Sequence, residues 1–439
     1  MTADKFYVPI PVFDTIDEVV NLYKTIYANE NSRHIITKWL RHCFANTQIS
    51  LPSYVINDYQ LALNFLYSYR GSSDTFTAYR RDIERFLQWS WFVRKQSVFK
   101  HKREDIESFI EFCIKPPKRW IGLKTVARFK LINGEKQPNP QWRPFDVHVS
   151  KKDHLAGIKP DKSNYQFSQQ ALKIMFGILS SFYKYLIQEE AIEVNPIALI
   201  RQKSKFIRKD IAHTQNIRRL SNKQWQMVIN LAKEQAKNDV AYERVVFILS
   251  CLYGMYLRIS ELVAHSRWAP LMKHFYKDSE NNWWFKTVGK GNKARQIAVS
   301  EEMLKALKHY RVNYLGLSPY PAIDENIVLI SHINNINKPI TSDRPIRKLV
   351  QEYFDKAAYQ LELNGEILEA DSLRTATVHW LRHTGISEDV KIRPREHVRD
   401  DAGHSSSAIT DKYIDIELSE RARSAKKKRM VKESIDIMV

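Results

Sequence analysis

A chain of 439 residues has room for two or three domains. Its 69 Lys and Arg against 49 Asp and Glu leave a formal charge of +20, which points to a polyanionic partner, most often nucleic acid, because basic side chains displace condensed counterions from phosphates. Three scattered cysteines, Cys43, Cys113 and Cys251, argue against a disulfide framework or a zinc site. No apolar run reaches the ~18 residues of a membrane span, and Met1-Thr2-Ala3-Asp4-Lys5 lacks the basic-then-apolar order of a signal peptide. The expectation is a nucleic-acid-binding protein of a reducing, cytoplasmic setting, with no cofactor, no metal and no membrane partner.

Residues 1–50 open with Phe6-Tyr7-Val8-Pro9-Ile10 and carry two helical patterns, about Thr15–Tyr27 and Ser32–Asn46. Their pattern leaves three roles open: a DNA-binding arm, an oligomerisation element, or packing for the next domain. From 51 to 200 the rhythm is helical. Ile83, Phe86 and Leu87 repeat at helical spacing and predict a core stripe, with Arg80, Arg81 and Arg85 elsewhere on that helix as candidate DNA contacts. Residues 115–166 break the rhythm with repeated prolines. They read as a long loop with a small hairpin near Asn133-Gly134, serving either DNA or the cover of the core. Gln169–Glu189 predicts a helix with Ala171, Leu172, Met175, Phe176, Leu179, Phe182 and Tyr183 buried, stopped by Asn195-Pro196. Residues 201–217 read as a linker. Five basic residues in the nine from Arg201 to Lys209 make Lys203, Lys205, Arg208 and Lys209 candidate DNA contacts.

In the second half, Ser221 caps a helix, and 241–257 is apolar on several faces and so buried. It ends in Gly254-Met255-Tyr256-Leu257-Arg258-Ile259-Ser260-Glu261-Leu262. A hairpin follows, with strands 283–288 and 295–299 around Gly289-Lys290-Gly291-Asn292-Lys293; Lys293 and Arg295 are further candidate DNA contacts. Ser300–Leu315 predicts a helix, Asn326–Ser331 a short strand and Arg344–Leu361 a helix. Then come His379-Trp380-Leu381-Arg382-His383-Thr384-Gly385 and Gly403-His404-Ser405-Ser406, with Tyr413 nine residues beyond His404. His379 and Arg382, three apart, share one helix face. Arg holds a phosphate with a planar fork of donors, His moves a proton near neutral pH, and Tyr can be a covalent nucleophile. Together they suggest attack on a phosphodiester.

These segments resemble the tyrosine recombinases of the phage integrase family. The Gly254–Leu262 segment is similar to that family's G-L-R-I-S-E-L box, the 289–293 turn to its G-K-G-N-K hairpin, and 379–413 to H-x-L-R-H-T, G-H-S-S and a downstream Tyr. Thr75 to Phe86 looks like the opening of its core-binding domain. Three departures stand out. Tyr256 takes the place of a Gly, Asp401 precedes Ala402-Gly403-His404 where Leu-Gly-His is common, and 388–400 is unusually charged.

The expected fold class is mainly α (α+β): a helical core-binding domain joined to a mostly helical catalytic domain with a small antiparallel sheet. Its parts would be 1–50 as an N-terminal extension, 51–200 with the 115–166 insertion, a 201–217 linker, 218–413, and a basic 414–439 tail that either docks on a neighbouring subunit or is a basic end. The resemblance implies a site-specific recombinase or integrase that integrates or excises a mobile element through a 3′-phosphotyrosyl intermediate. Arg258 and Arg382 would clamp the phosphate, Tyr413 attack, His379 act as general base, Lys290 as general acid, and His404 support the transition state. Partners would be duplex recombination sites, three further copies in a tetramer on DNA, and accessory directionality proteins. The setting would be the nucleoid of a bacterium, for a bacterial or phage-encoded protein. The alternatives are a type IB topoisomerase-like relaxation activity or a non-catalytic DNA-binding accessory protein.

Overall fold

The computed structural model describes residues 7–29, 31–45, 47, 49–203, 206, 218–265, 268–289, 291–332, 335–404, 406, 410 and 425–426. The chain divides into two compact units, Met1–Ile211 and Ala212–Val439.

The first unit is built on helices α1 (Ile16–Tyr27), α2 (Ser32–Phe44), α3 (Tyr54–Ser68), α4 (Ser73–Trp89), α5 (Arg103–Ile114), α6 (Lys151–Leu155), α7 (Gln169–Gln188) and α8 (Pro196–Lys203). Helix α4 is its axis. Phe76, Ile83, Phe86 and Leu87 are buried as the periodicity predicts, but so are Asp82, Glu84, Arg85 and Gln88. Buried polar groups need partners, and the N-terminal segment supplies them. Glu84 accepts the backbone N–H groups of Val12 (2.6 Å) and Phe13 (3.0 Å) and pairs with Arg128. Gln88 accepts from the Tyr7 hydroxyl (2.6 Å) and brackets the backbone of Ile10. Of the three roles open for residues 1–50, packing is therefore the one the described residues display: Val12, Phe13, Val19, Ile26, Ile36 and Leu40 share one core with α3, α4 and α7.

The 115–166 segment also covers the core. Strands β2 (Phe129–Ile132) and β3 (Glu135–Pro138) form the hairpin, after a two-residue β1 (Ile121–Gly122) that pairs in parallel with β4 (Phe145–Asp146). Asn133 and Gly134 both take positive φ, 53° and 81°, as a tight two-residue hairpin turn requires. Trp120 and Trp142 are buried, so neither ring presents a face to a base. Helix α8 runs three residues into the 201–217 stretch and sinks Ile197 and Ile200 into the core.

The second unit carries α9 (Asn222–Asn238), α10 (Glu243–Gly254), α11 (Glu301–His309), α12 (Arg344–Leu363), α13 (Ile367–Thr375), α14 (Val378–Asp389) and α15 (Arg395–Ala402). Ser221 and Gln224 close a reciprocal cap on α9. Helix α10 is buried from Val245 to Leu249 without a break and packs against α9, α11 and α14. A three-stranded antiparallel sheet runs in the order β5 (Phe275–Lys277), β6 (Trp283–Val288), β7 (Ala294–Ala298). Register sets Phe275 opposite Phe285 and Phe285 opposite Ile297, so one face of alternate residues enters the core.

One expectation is borne out with a change of pitch and one is corrected. The helix expected over Ser300–Leu315 is present, and after His309 it widens without a break into a π turn, Tyr310–Tyr314, where buried Arg311 turns inward to Glu325. The strand expected at 326–331 is a single bridge, Leu271 to Val328, followed by a short pair, β8 (Ser331–His332) with β9 (Asn335–Pro339). Among the described residues no helix is long and apolar enough to cross a membrane.

Candidate active site

Four of the candidate catalytic residues come from three separate segments of the second unit. Arg258 follows α10, His379 and Arg382 lie on α14, and His404 follows α15. Lys290 and Tyr413 lie outside the described residues.

Helix α10 stops because the chain turns left-handed at Tyr256, with φ of 49°. A non-glycine residue there costs roughly 1–2 kcal/mol. Two residues on, Arg258 donates its backbone N–H (2.8 Å) and a guanidinium N–H (3.1 Å) to Glu261, as pairing of R-x-x-E suggests. Glu261 is buried and also takes a bidentate pair from Arg295 (2.6 and 2.8 Å). Burial pushes its carboxyl up, but Arg295 and then Arg258 outweigh that and hold it below the usual carboxylate range. This carboxylate fixes the direction in which Arg258, still partly exposed, can extend.

Gly289, just before Lys290, packs against the same charges. A Cβ there would stand 2.9 Å from Arg295 Nη1 and Glu261 Oε1 and 3.1 Å from Arg258 Nη1. The root of the β6–β7 turn thus touches the Arg258 cluster, and a side chain at 289 would have to displace the ends of Arg295 and Glu261.

Arg382 is buried, only 3% exposed. It donates to the carbonyl of Tyr256 and to that of Ala402 (2.6 Å). His379, one turn earlier, keeps an exposed surface, and its ring stands nearly perpendicular to that of His383 at 4.3 Å between centroids. His404 follows Gly403, whose φ of 63° ends α15, and its Nδ1 hydrogen-bonds Thr410 Oγ1 at 2.8 Å. Electrostatics tie the group together. Burial, then Arg382 and Arg258, hold His379 below the ordinary histidine value. Burial with Arg382, Arg258 and Arg295 pulls His404 down to about 4. Burial, His379, Arg382 and His404 pull His383 down to about 3. Both imidazoles of the candidate set are therefore neutral at pH 7 and able to accept a proton, inside a field of positive charge suited to a phosphodiester.

The candidate DNA contacts divide. Arg85 is corrected: it is 5% exposed, bonded to Asp82 (3.0 Å) and the Pro144 carbonyl (2.6 Å), with its guanidinium over the Phe145 ring. It is a core residue because Asp82, one turn earlier, and the 115–166 segment capture it. Arg295 is corrected likewise, being committed to Glu261 and to the Asp401 carbonyl (2.9 Å). Arg80 is partly buried and bonded to the Asp14 carbonyl, whereas Arg81 keeps about half its side chain exposed beside Asp82 and Lys293 is exposed on the turn. Lys205, Arg208 and Lys209 lie outside the described residues, as does the side chain of Lys203. Sequence reasoning passed over Glu261 as an ion-pair partner only, and over His383; the R-x-x-E spacing and the second His of H-x-x-R-H were the available signals.

Residues 218–420 match the model of the phage integrase family. That span is a domain of the phage integrase family. The matched span holds all the candidate catalytic residues. Tyrosine recombinase XerC of Pediococcus pentosaceus is 26% identical over 254 residues, covering 54% of this chain and 68% of that protein. XerC of Thermodesulfovibrio yellowstonii is 26% identical over 252 residues, covering 55% and 69%. Among solved structures, XerH recombinase bound to its difH substrate in a post-cleavage complex is 12% identical with a TM-score of 0.49, covering 95% of this chain and 99% of that one. A Tn1549 transposon integrase with circular-intermediate DNA is 14% identical with a TM-score of 0.48, covering 84% and 98%. The family match and the XerC relatives support an enzyme of DNA cleavage and rejoining.

Proposed function

We propose that this recombinase works through Tyr413 as nucleophile, with Arg258, Lys290, His379, Arg382 and His404 as its supporting groups. The observation that carries the reading is that Arg382 donates to the carbonyls of Tyr256 and Ala402, which draws α14, with His379, to the segments that lead into Arg258 and His404. A phosphodiester spreads one negative charge over two non-bridging oxygens. Two guanidiniums beside it stabilise the charge that grows at the pentavalent transition state. The Tyr413 oxygen attacks phosphorus in line, a 3′-phosphotyrosyl bond forms, and the 5′-oxygen leaves. His379, neutral at pH 7, takes the phenolic proton, which near pKa 10 would otherwise stay in place. Lys290 delivers a proton to the departing 5′-oxygen, and His404 donates to a non-bridging oxygen. A second 5′-hydroxyl reverses the step, so bond energy is conserved and no ATP enters.

The exposed cations Arg81 and Lys293, with Lys203, Lys205, Arg208 and Lys209, would hold the phosphate backbone. The substrate is a pair of duplex sites, exchanged within a tetramer of this chain at the nucleoid, for integration or excision of a mobile element with accessory proteins setting direction. The relatives named as recombinases favour this over simple relaxation of supercoils.

The roles are tested with DNA whose scissile 5′-oxygen is replaced by sulfur. A thiolate leaves without a proton, so Lys290→Ala should be inactive on ordinary DNA yet cleave the sulfur substrate at nearly the wild-type rate. Arg258→Ala and Arg382→Ala should stay about 100-fold slow on both. Failure of sulfur to rescue Lys290→Ala would remove Lys290 from the general-acid role.

A further inference from the structure

The three departures from the family pattern lie in one place. The Tyr256 hydroxyl donates to Asp389 Oδ2. Arg393 reaches that hydroxyl (3.1 Å), Asp389 (3.2 Å) and Asp401 (2.6 Å). Asp401 is buried and accepts the Ala298 N–H from β7 at 3.2 Å. The Tyr that replaces a Gly, the charged segment after α14 and the Asp before Ala402-Gly403 are thus members of one polar network. The Tyr256 ring itself packs on Ile386, Val398 and Ala402.

The two ends of this network are two supports of Arg382 among the described residues. Its guanidinium is held by the carbonyls of Tyr256 and Ala402. Tyr256 is anchored by its hydroxyl, and Ala402 follows directly on the anchored Asp401. We propose that Tyr256, Asp389, Arg393 and Asp401 form a brace that positions the guanidinium of Arg382, making Tyr256 and Arg393 positioning residues for the cleavage step. The inference rests on the reading of Arg382 as a ligand of the scissile phosphate.

The brace offsets an intrinsic weakness. Tyr256 sits in a left-handed conformation that a tyrosine leaves readily unless something over-determines it. If the turn relaxes, the carbonyl that aims Arg382 turns with it. Small misplacements of a group that acts on the transition state cost rate more than affinity. DNA binding draws on many phosphate contacts, so it should barely register the change.

The test uses the full-length protein on a nicked DNA site that traps the covalent product. Wild type is compared with Tyr256→Phe, which keeps the packed ring and removes one oxygen, with Arg393→Gln, and with the double variant. Cleavage at saturating protein, DNA affinity and Tm are measured for each, well below the lowest Tm. Each single variant should cleave about tenfold more slowly with affinity within about twofold of wild type. The double variant should also lose about tenfold rather than about a hundredfold, because both changes open the same brace. Single variants that keep the wild-type rate at saturation, whatever their Tm, overturn the brace alone. So does a double variant whose loss is the product of the two. A wild type that forms no covalent product overturns the chemical reading beneath it, and the brace with it.

Discussion

Gly385 lies one turn beyond Arg382, where α14 crosses the end of α10. A Cβ on Gly385 would stand 2.1 Å from the Tyr253 carbonyl oxygen, 3.0 Å from its carbon and 3.2 Å from Tyr256 Cδ1. The first obstacle is backbone, so no rotamer change relieves it. Opening that gap from 2.1 Å to the 3.0 Å floor of real contacts demands a shift of about 0.9 Å between the helices. Overpacking of this kind costs about 1–3 kcal/mol, which in a domain this size is about 2–12 °C of Tm. The same shift carries Arg382 away from the carbonyl of Tyr256, and a misplacement near 1 Å can cost about 100-fold in rate. Gly385→Ala should therefore lose both Tm, by scanning calorimetry, and cleavage at saturating protein on nicked DNA. Wild-type values for both would refute the close helix contact on which the position of Arg382 depends.

Three further outcomes are expected. Arg85→Ala should destabilise the first unit by about 2–4 kcal/mol, since buried Asp82 loses a partner, while DNA affinity at fixed salt stays within about twofold; a clear loss of affinity without a loss of Tm would return Arg85 to the DNA surface. Glu261→Gln removes the charge between Arg258 and Arg295 and should cost about 2–4 kcal/mol together with cleavage, read by Tm and single-turnover rate; an unchanged Tm would mean the carboxylate is not holding that cluster. For pH, His379 and His404 are held below the ordinary histidine value by burial and by Arg382 and Arg258, His404 at about 4. The base form of His379 is the one that takes the phenolic proton, so activity persists as pH falls through 6.5 and is lost only as it falls through the lowered value of His379; a kcat/KM profile whose acid limb sits at or above 6.5 would contradict this.

Much of this was legible because the signals were local. Ile83, Phe86 and Leu87 on α4, Leu172 to Tyr183 on α7, the Ser221 cap and the 283–299 hairpin are set by spacing, capping and turn chemistry over a few residues. The grouping of Arg258, His379, Arg382 and His404 was legible through motif order. What escaped depends on partners distant in the chain. Arg85 reads as a surface cation until Asp82 and the Pro144 carbonyl close on it. Arg295 reads as a hairpin cation until Glu261, 34 residues earlier, claims it. Glu84 and Gln88 look like the wet side of α4, yet they receive the backbone of Val12, Phe13 and Ile10 and so recruit residues 7–50 to the core. Asp401 and Tyr256 look like flaws in a motif until Arg393 joins them.

The most direct test of the account is whether Tyr413 becomes bonded to DNA. Wild type and Tyr413→Phe would be incubated without metal or ATP on a nicked junction of the DNA element that carries the gene, and the products run on a denaturing gel. The account predicts a covalent protein–DNA band for wild type alone, with the DNA 3′-phosphate on the peptide containing Tyr413 by mass spectrometry. A band that persists in Tyr413→Phe, or a phosphate mapped to another residue, would contradict it.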